Sequence, residues 1–170
     1  MFVQRASERD GVPWRNGMGV QYEIISDGND DWTWRVATAD ITHSVPFSLF
    51  SGIRREFCVA DGNGVTLTIN GVENRCGPGS VTVFRGDDVV AASLLDGPIQ
   101  ALNLMRRGGG TMTLQIATPT AAVRCQVIVA IMGPASVEIA NQVVELELLD
   151  AIIDLNGMDA VARMGKVAVL

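Results

Sequence analysis

Short runs of Val, Ile, Thr and aromatic residues recur along the chain, each closed by a cluster of Gly, Pro, Asn or Asp, which is the pattern of an all-β protein with little helix. It predicts strands over 20–26, 32–41, 57–59, 65–69, 81–84, 89–95, 99–105 and 111–117, then over 124–132, 136–139, 143–155 and 163–170. Within 143–155 the stretch Val144-Glu145-Leu146-Glu147-Leu148 alternates strictly, so a strand is preferred although Leu148 to Ile153 also fits one helical turn. Gly133-Pro134 is expected to separate two strands. Asn156-Gly157 favours a type I′ turn between paired strands, with residues 158–164 returning. Closing many short strands into sandwiches or barrels removes exposed edges, and a small barrel leaves a mouth suited to a ligand.

With 170 residues, 48% hydrophobic and 19% charged, the chain has enough apolar material for a well-buried core and is unlike a disordered one. The expectation is a single compact unit, residues 1–170, made of two strand-rich halves with a seam near 106–112, where Arg106-Arg107-Gly108-Gly109-Gly110 is the flexible stretch. A formal charge of −6 repels phosphate backbones, so no nucleic-acid partner is expected. The apolar run Val127 to Met132 is far too short to span a bilayer, and the first ten residues carry charges where a signal peptide needs an apolar run. No membrane association is expected, and a reducing cytoplasm is the default compartment. Cys58, Cys76 and Cys125 are odd in number and lack metal spacing, which fits buried free thiols. Edge strands and the apolar fraction are compatible with a homodimer.

Counting removes several chemistries. His43 is the single histidine, so a histidine-based metal site and a Ser–His or Cys–His nucleophile pair have no backing, and no nucleotide-binding glycine motif occurs. No metal and no cofactor are expected. Twelve of the 13 basic residues are arginines, whose planar fork pairs with carboxylates. Strand alternation puts Arg35 with Thr33, Ala37, Ala39 and Ile41, and Trp32, Trp34, Val36, Thr38 and Asp40 on the other face. A guanidinium among small apolar neighbours is either paired with a carboxylate of this chain or open to an anionic ligand. If Phe57 points inward, so does Arg55, leaving Arg54 and Glu56 outward. Asn103 shares a face with Ala101 and Met105 and needs a partner, from a neighbouring backbone or from a ligand. Phe84-Arg85-Gly86-Asp87-Asp88 reads as a solvated turn, and His43 as a loop residue. Trp14-Arg15-Asn16-Gly17-Met18-Gly19 gathers a ring, a guanidinium, an amide and two glycines, which suits either a tight turn or the grip on a polar small molecule.

In order and spacing, that phrase resembles the HutD/Ves family together with Trp34-Arg35-Val36-Ala37-Thr38-Ala39-Asp40-Ile41, Pro46-Phe47-Ser48-Leu49-Phe50-Ser51-Gly52, Phe84-Arg85-Gly86-Asp87 and Gly97-Pro98 through Asn103-Leu104-Met105. The resemblance implies a cupin-like (RmlC-type) double barrel of antiparallel strands in a bacterial cytoplasmic protein associated with histidine utilisation. It implies binding of a small acidic metabolite, a carboxylate such as formylglutamate, without established catalysis. The residues matching the family's polar pocket are Asn16, Arg35, Ser48, Arg55 and Asn103, with Trp14 as a wall. Ala101 and Ile53 stand where the family commonly has aspartates, and Val45 where it has glycine, which leaves the pocket more electropositive. The alternatives are a metal-independent isomerase or hydrolase of the same fold, with Asp40 or Glu23 as base, and a module in which these features are only core and turns.

Overall fold

Side chains branched at Cβ and aromatic side chains pack well on a pleated, half-buried surface, and the alternating runs accordingly become strands. The computed structural model describes residues 1–14 and 17–170. In chain order the strands are β1 (Phe2–Gln4), β2 (Gly11–Pro13), β3 (Val20–Ser26), β4 (Trp34–Ile41), β5 (Val45–Pro46), β6 (Ile53–Asp61), β7 (Val65–Ile69), β8 (Val72–Cys76) and β9 (Val81–Arg85). They continue with β10 (Val90–Leu94), β11 (Ile99–Arg107), β12 (Gln115–Ala117), β13 (Ala122–Cys125), β14 (Ile128–Ile139), β15 (Gln142–Leu146), β16 (Ala151–Ile153) and β17 (Met158–Val169). Among the described residues the one helical element is a 3₁₀ turn, Ala6–Glu8, so no helix is long and apolar enough to cross a membrane. The elements sort into two compact units, Met1–Arg9 with Met112–Leu170, and Asp10–Thr111.

The first unit is a seven-stranded antiparallel sheet ordered β1-β16-β14-β17-β12, with β13 also on β17 and β15 on β14. Its core is aliphatic, centred on Ile128, Val137, Leu146, Ile152, Leu155 and Val167. Buried Asp150 ties the first strand's end to this core: it accepts from Arg5 Nη1 at 2.6 Å, from Ala6 N at 2.8 Å and from Glu147 N at 3.0 Å. Burial pushes the Asp150 carboxyl up, but the Ala6 and Glu147 amides and the Arg5 guanidinium outweigh it and hold it below its ordinary value of 3.8. A lowered carboxylate pKa stabilises the fold above the unfolded-state value, and that contribution is lost as pH falls through the folded-state value. Asp150→Ala, which strands two amide donors, should therefore cost about 2–3 kcal/mol at pH 7. The difference from the parent should shrink below about pH 4, read as urea midpoints across the acid range.

The second unit packs a six-stranded sheet, β2-β3-β4-β11-β6-β9, against a four-stranded sheet, β5-β10-β7-β8. Their shared core joins Ile41, Phe57, Val59, Phe84, Ile99 and Ala101 of the larger sheet to Val45, Val65, Leu67, Cys76, Val90 and Ala92 of the smaller. Neighbouring strands pair in a register that lines up residues across the larger sheet. One rung reads Glu23, Ala37, Asn103, Phe57 and Thr82, and the next one on the same face, two residues along, Ser26, Arg35, Met105, Arg55 and Phe84. Successive inward residues of β11 thus pass from the apolar core at Ile99 and Ala101 to Asn103, Met105 and Arg107.

Local chemistry explains where the strands depart from the sequence-based expectation. Residues 143–155 break after Leu146 because Asp150 N bonds to Glu147 O at 3.0 Å and Leu149 takes a φ of +64°. Asn156 and Gly157 do form a turn, with φ of 50° and 72° and Met158 N bonding Leu155 O at 2.9 Å. The strands it joins are not partners, since β16 pairs with β1 and β14 whereas β17 pairs with β12, β13 and β14. Gly133-Pro134 does not end a strand either; Met132 and Gly133 take positive φ, and β14 runs on through an irregularity between Ile131 and Ser136. Strand β8, unanticipated, returns from β7 through Asn70-Gly71, both at positive φ.

Candidate functional site

A cavity of about 690 Å³ opens in the second unit where the inner face of the larger sheet turns polar. Its floor is formed by β4, β6 and β11 through Arg35, Ala37, Ala39, Arg55, Asn103, Met105 and Arg107, and the 47–51 segment with Trp14 forms its walls. Of the residues singled out from the sequence, Trp14, Arg35, Ser48, Arg55 and Asn103 all line this space, while Asn16 lies outside the described residues.

Arg55 is the unusual group. It is only 6% exposed, and its guanidinium carbon stands 4.9 Å from the Phe84 ring centroid, 5.1 Å from Phe47 and 5.5 Å from Phe50. Three ring faces hold a cation well but do not neutralise it. Its hydrogen bonds are long, 3.4 Å from Nη2 to Asn103 Oδ1 and 3.4 Å from Nη1 to the Ser48 carbonyl, and its Nε has no acceptor. No carboxylate among the described residues lies within ion-pairing distance. Desolvation by burial draws its pKa down to about 10, so it still carries a full charge at neutral pH.

Arg35 is different. Glu23 Oε2 stands 2.7 Å from Arg35 Nε, an ion pair by distance, although the Nε–H is not aimed at it and remains without a hydrogen-bond acceptor. The internal-carboxylate reading of Arg35 therefore describes it. Asn103 likewise has a structural partner, in Arg55, and Ser48 reaches Arg55 through its carbonyl. Trp14 meets Phe47 edge-on with centroids 5.9 Å apart. Gly19 lies against the other part of that ring, where a Cβ would come within 2.9 Å, and Trp14 N bonds Gly19 O.

Other placements correct the expectations. Glu56 points away from Phe57 and Arg55 as expected, but on that face it is buried, 3.1 Å from Arg106 and 3.3 Å from Arg54. Trp32 is not on the β4 face opposite Arg35 but precedes the strand and lines the cavity, because Asp27 accepts from the Thr33 and Trp34 amides at 2.7 and 3.0 Å and holds that segment in a turn. Asp40, bonded to Tyr22 and Gln100, and Glu23 are both absent from the cavity lining. Among the lining residues Asp30 is the one carboxylate. Phe50, Phe84, Trp32 and Arg107 were missed as site residues. All four lie within stretches already singled out, Trp32 at the start of 32–41 and Arg107 in Arg106 to Gly110, but none of them was assigned to the pocket. Among the described residues no cluster of three or more His, Cys, Asp or Glu could hold a metal ion.

The 47–51 wall is fixed by the turn after β9. Phe50 N donates to Gly86 O at 2.8 Å, Gly86 N to Ile53 O at 2.6 Å and Gly52 N to Asp87 Oδ2 at 3.0 Å. That carboxylate is held below its ordinary range, first by the Gly52 amide. Only Gly86 to Asp88 of that phrase form the turn its sequence suggested; Phe84 and Arg85 close β9, with Phe84 buried, and the turn also braces the aromatic cage.

Comparison with known proteins agrees with this architecture. A 21.2 kDa Pseudomonas putida protein of the hutC 3′ region is 37% identical over 105 residues, covering 59% of this chain and 55% of its own. Protein Ves of Citrobacter koseri is 35% identical over 98 residues, covering 55% and 51%. The chain therefore spans about half the length of these relatives it matches. The structure of HutD from Pseudomonas fluorescens SBW25, in a formate condition, superposes with a TM-score of 0.82 at 28% identity over 99% of this chain and 95% of that one. The fold is all-β and cupin-like, of antiparallel sheets. The HutD family matches residues 6–166, and the chain belongs to that family.

Proposed function

We propose that the cavity binds a small acidic metabolite, with formylglutamate the natural candidate, in a non-enzymatic regulatory or accessory role in histidine utilisation in the cytoplasm. Family membership and the hutC-region relative connect the chain to that locus. The observation that carries the reading is Arg55, a buried cation held by aromatic faces, open to the cavity and lacking a carboxylate. A ligand carboxylate would supply the missing charge, and a bidentate pair gives orientation as well as affinity. Asn103, beside it, would read an amide or formyl group. The formate condition of the Pseudomonas fluorescens structure, formate being the smallest carboxylate, is in keeping with this chemistry.

Isothermal titration with formylglutamate, glutamate and urocanate tests the reading, and binding of none of them would overturn it. Asn103→Leu should weaken formylglutamate by about tenfold while affecting formate little, because it removes the amide and leaves the guanidinium. Equal loss for both ligands would deny Asn103 that role.

A further inference from the structure

Arg55 is not the only guanidinium facing the cavity without a carboxylate. Arg107, at the end of β11, lines the same space, and its guanidinium carbon lies 4.7 Å from the Trp32 ring centroid. Its cross-strand neighbour is Ile53, which offers no charge, and no carboxylate among the described residues pairs with it. Asp30, on the same lining, does not come within ion-pairing distance. Arg35, on β4 beside β3, is already paired with Glu23. The cavity therefore has two cationic poles left open.

Their positions set the length of what could join them. Arg107 faces Ile53 and Arg55 faces Met105, so the two arginines are diagonal neighbours on one face of adjacent strands, roughly 7–8 Å apart at the backbone. Their heads lean apart: Arg55 reaches toward Asn103, one rung nearer the core, while Arg107 lies over Trp32 at the other end. One carboxylate cannot serve both. The intervening floor is Met105, and Ile53, Trp32 and Met105 form an apolar cluster with Phe50 packed on it. An apolar middle between two cations matches a short methylene chain between two anions.

We infer that Arg107, stacked on Trp32, is a second anion anchor, so that this site selects dicarboxylates about four to six carbons long over monocarboxylates of equal length, given the backbone spacing. This rests on the proposed carboxylate site at Arg55 and adds which acids it prefers. Trp32 acts as a positioning residue, fixing the Arg107 head by cation–π contact.

The test is calorimetric titration of the full chain with glutarate, its monoamide and butyrate, for the parent, Arg107→Met, Arg107→Lys and Arg55→Met. The parent should bind glutarate about tenfold or more tighter than the monoamide, as expected of one added charge-assisted contact. Arg107→Met should erase that ratio by weakening glutarate far more than the monoamide or butyrate, Arg107→Lys should restore part of it, and Arg55→Met should weaken all three ligands. Equal binding of glutarate and its monoamide by the parent would overturn the inference but leave the Arg55 site standing, as would an Arg107→Met variant that keeps the preference. Binding of no carboxylate by the parent would overturn both.

Discussion

An Arg55→Met variant should lose formylglutamate binding by at least about 30-fold while melting at or slightly above the parent temperature. The affinity loss follows because the ligand carboxylate would lose its buried counter-charge, a truncation that typically costs about 2–5 kcal/mol. The stability result follows from the opposite bookkeeping in the free protein. There Arg55 is a buried charge with two long hydrogen bonds, an unpartnered Nε and no carboxylate, so burial disfavours it enough to lower its pKa to about 10. A methionine fills similar volume and favours contact with aromatic rings such as Phe47, Phe50 and Phe84, while the lost cation–π attraction works against the gain. Apolar replacement of buried charges is often neutral or stabilising. Thermal unfolding alongside titration checks both halves. A residue kept for the fold alone would show the reverse, a lowered melting temperature.

Gly86→Ala should be the most damaging small substitution in the second unit, lowering stability by about 2–4 kcal/mol and formylglutamate affinity by about tenfold or more. A Cβ at this position collides with the Phe50 carbonyl, which is backbone and cannot rotate away. Relief requires the 47–51 segment to lift from the turn after β9, breaking the Phe50 N to Gly86 O bond. Phe47 and Phe50 then no longer close over Arg55, and water enters the cage. Hydrogen exchange at the Phe50 amide should accelerate in the variant more than at buried amides of the smaller sheet such as Leu67. Uniform acceleration would mean global destabilisation instead.

Much of the larger sheet was legible in the chain because its signal is local. Alternation placed Asn103 with Met105 and Arg55 with Phe57, and the pairing of β4, β11 and β6 brings those residues to one inner face. Alternation could not say that Arg35 meets Glu23, since that depends on the irregularity between Glu23 and Ile25 that shifts β3 against β4. Nor could it place Trp32, whose direction is set by the Asp27 carboxylate six residues before Thr33. The aromatic cage was invisible for a related reason: Phe84 meets Arg55 through the pairing of β6 and β9, Phe47 is held by Val90 O, and Gly86 admits the Phe50 carbonyl, so the three rings meet through long-range contacts. The exchange of partners after Asn156-Gly157 shows that a turn motif sets a local reversal while strand pairing is decided by the whole sheet.

A crystal structure of the chain with formylglutamate tests the account most directly. It predicts a ligand carboxylate in the cavity with both oxygens about 2.7–3.0 Å from Arg55 nitrogens and the formyl or amide group at Asn103. A ligand seated elsewhere, or one in the cavity that leaves the Arg55 guanidinium without a carboxylate, would contradict it.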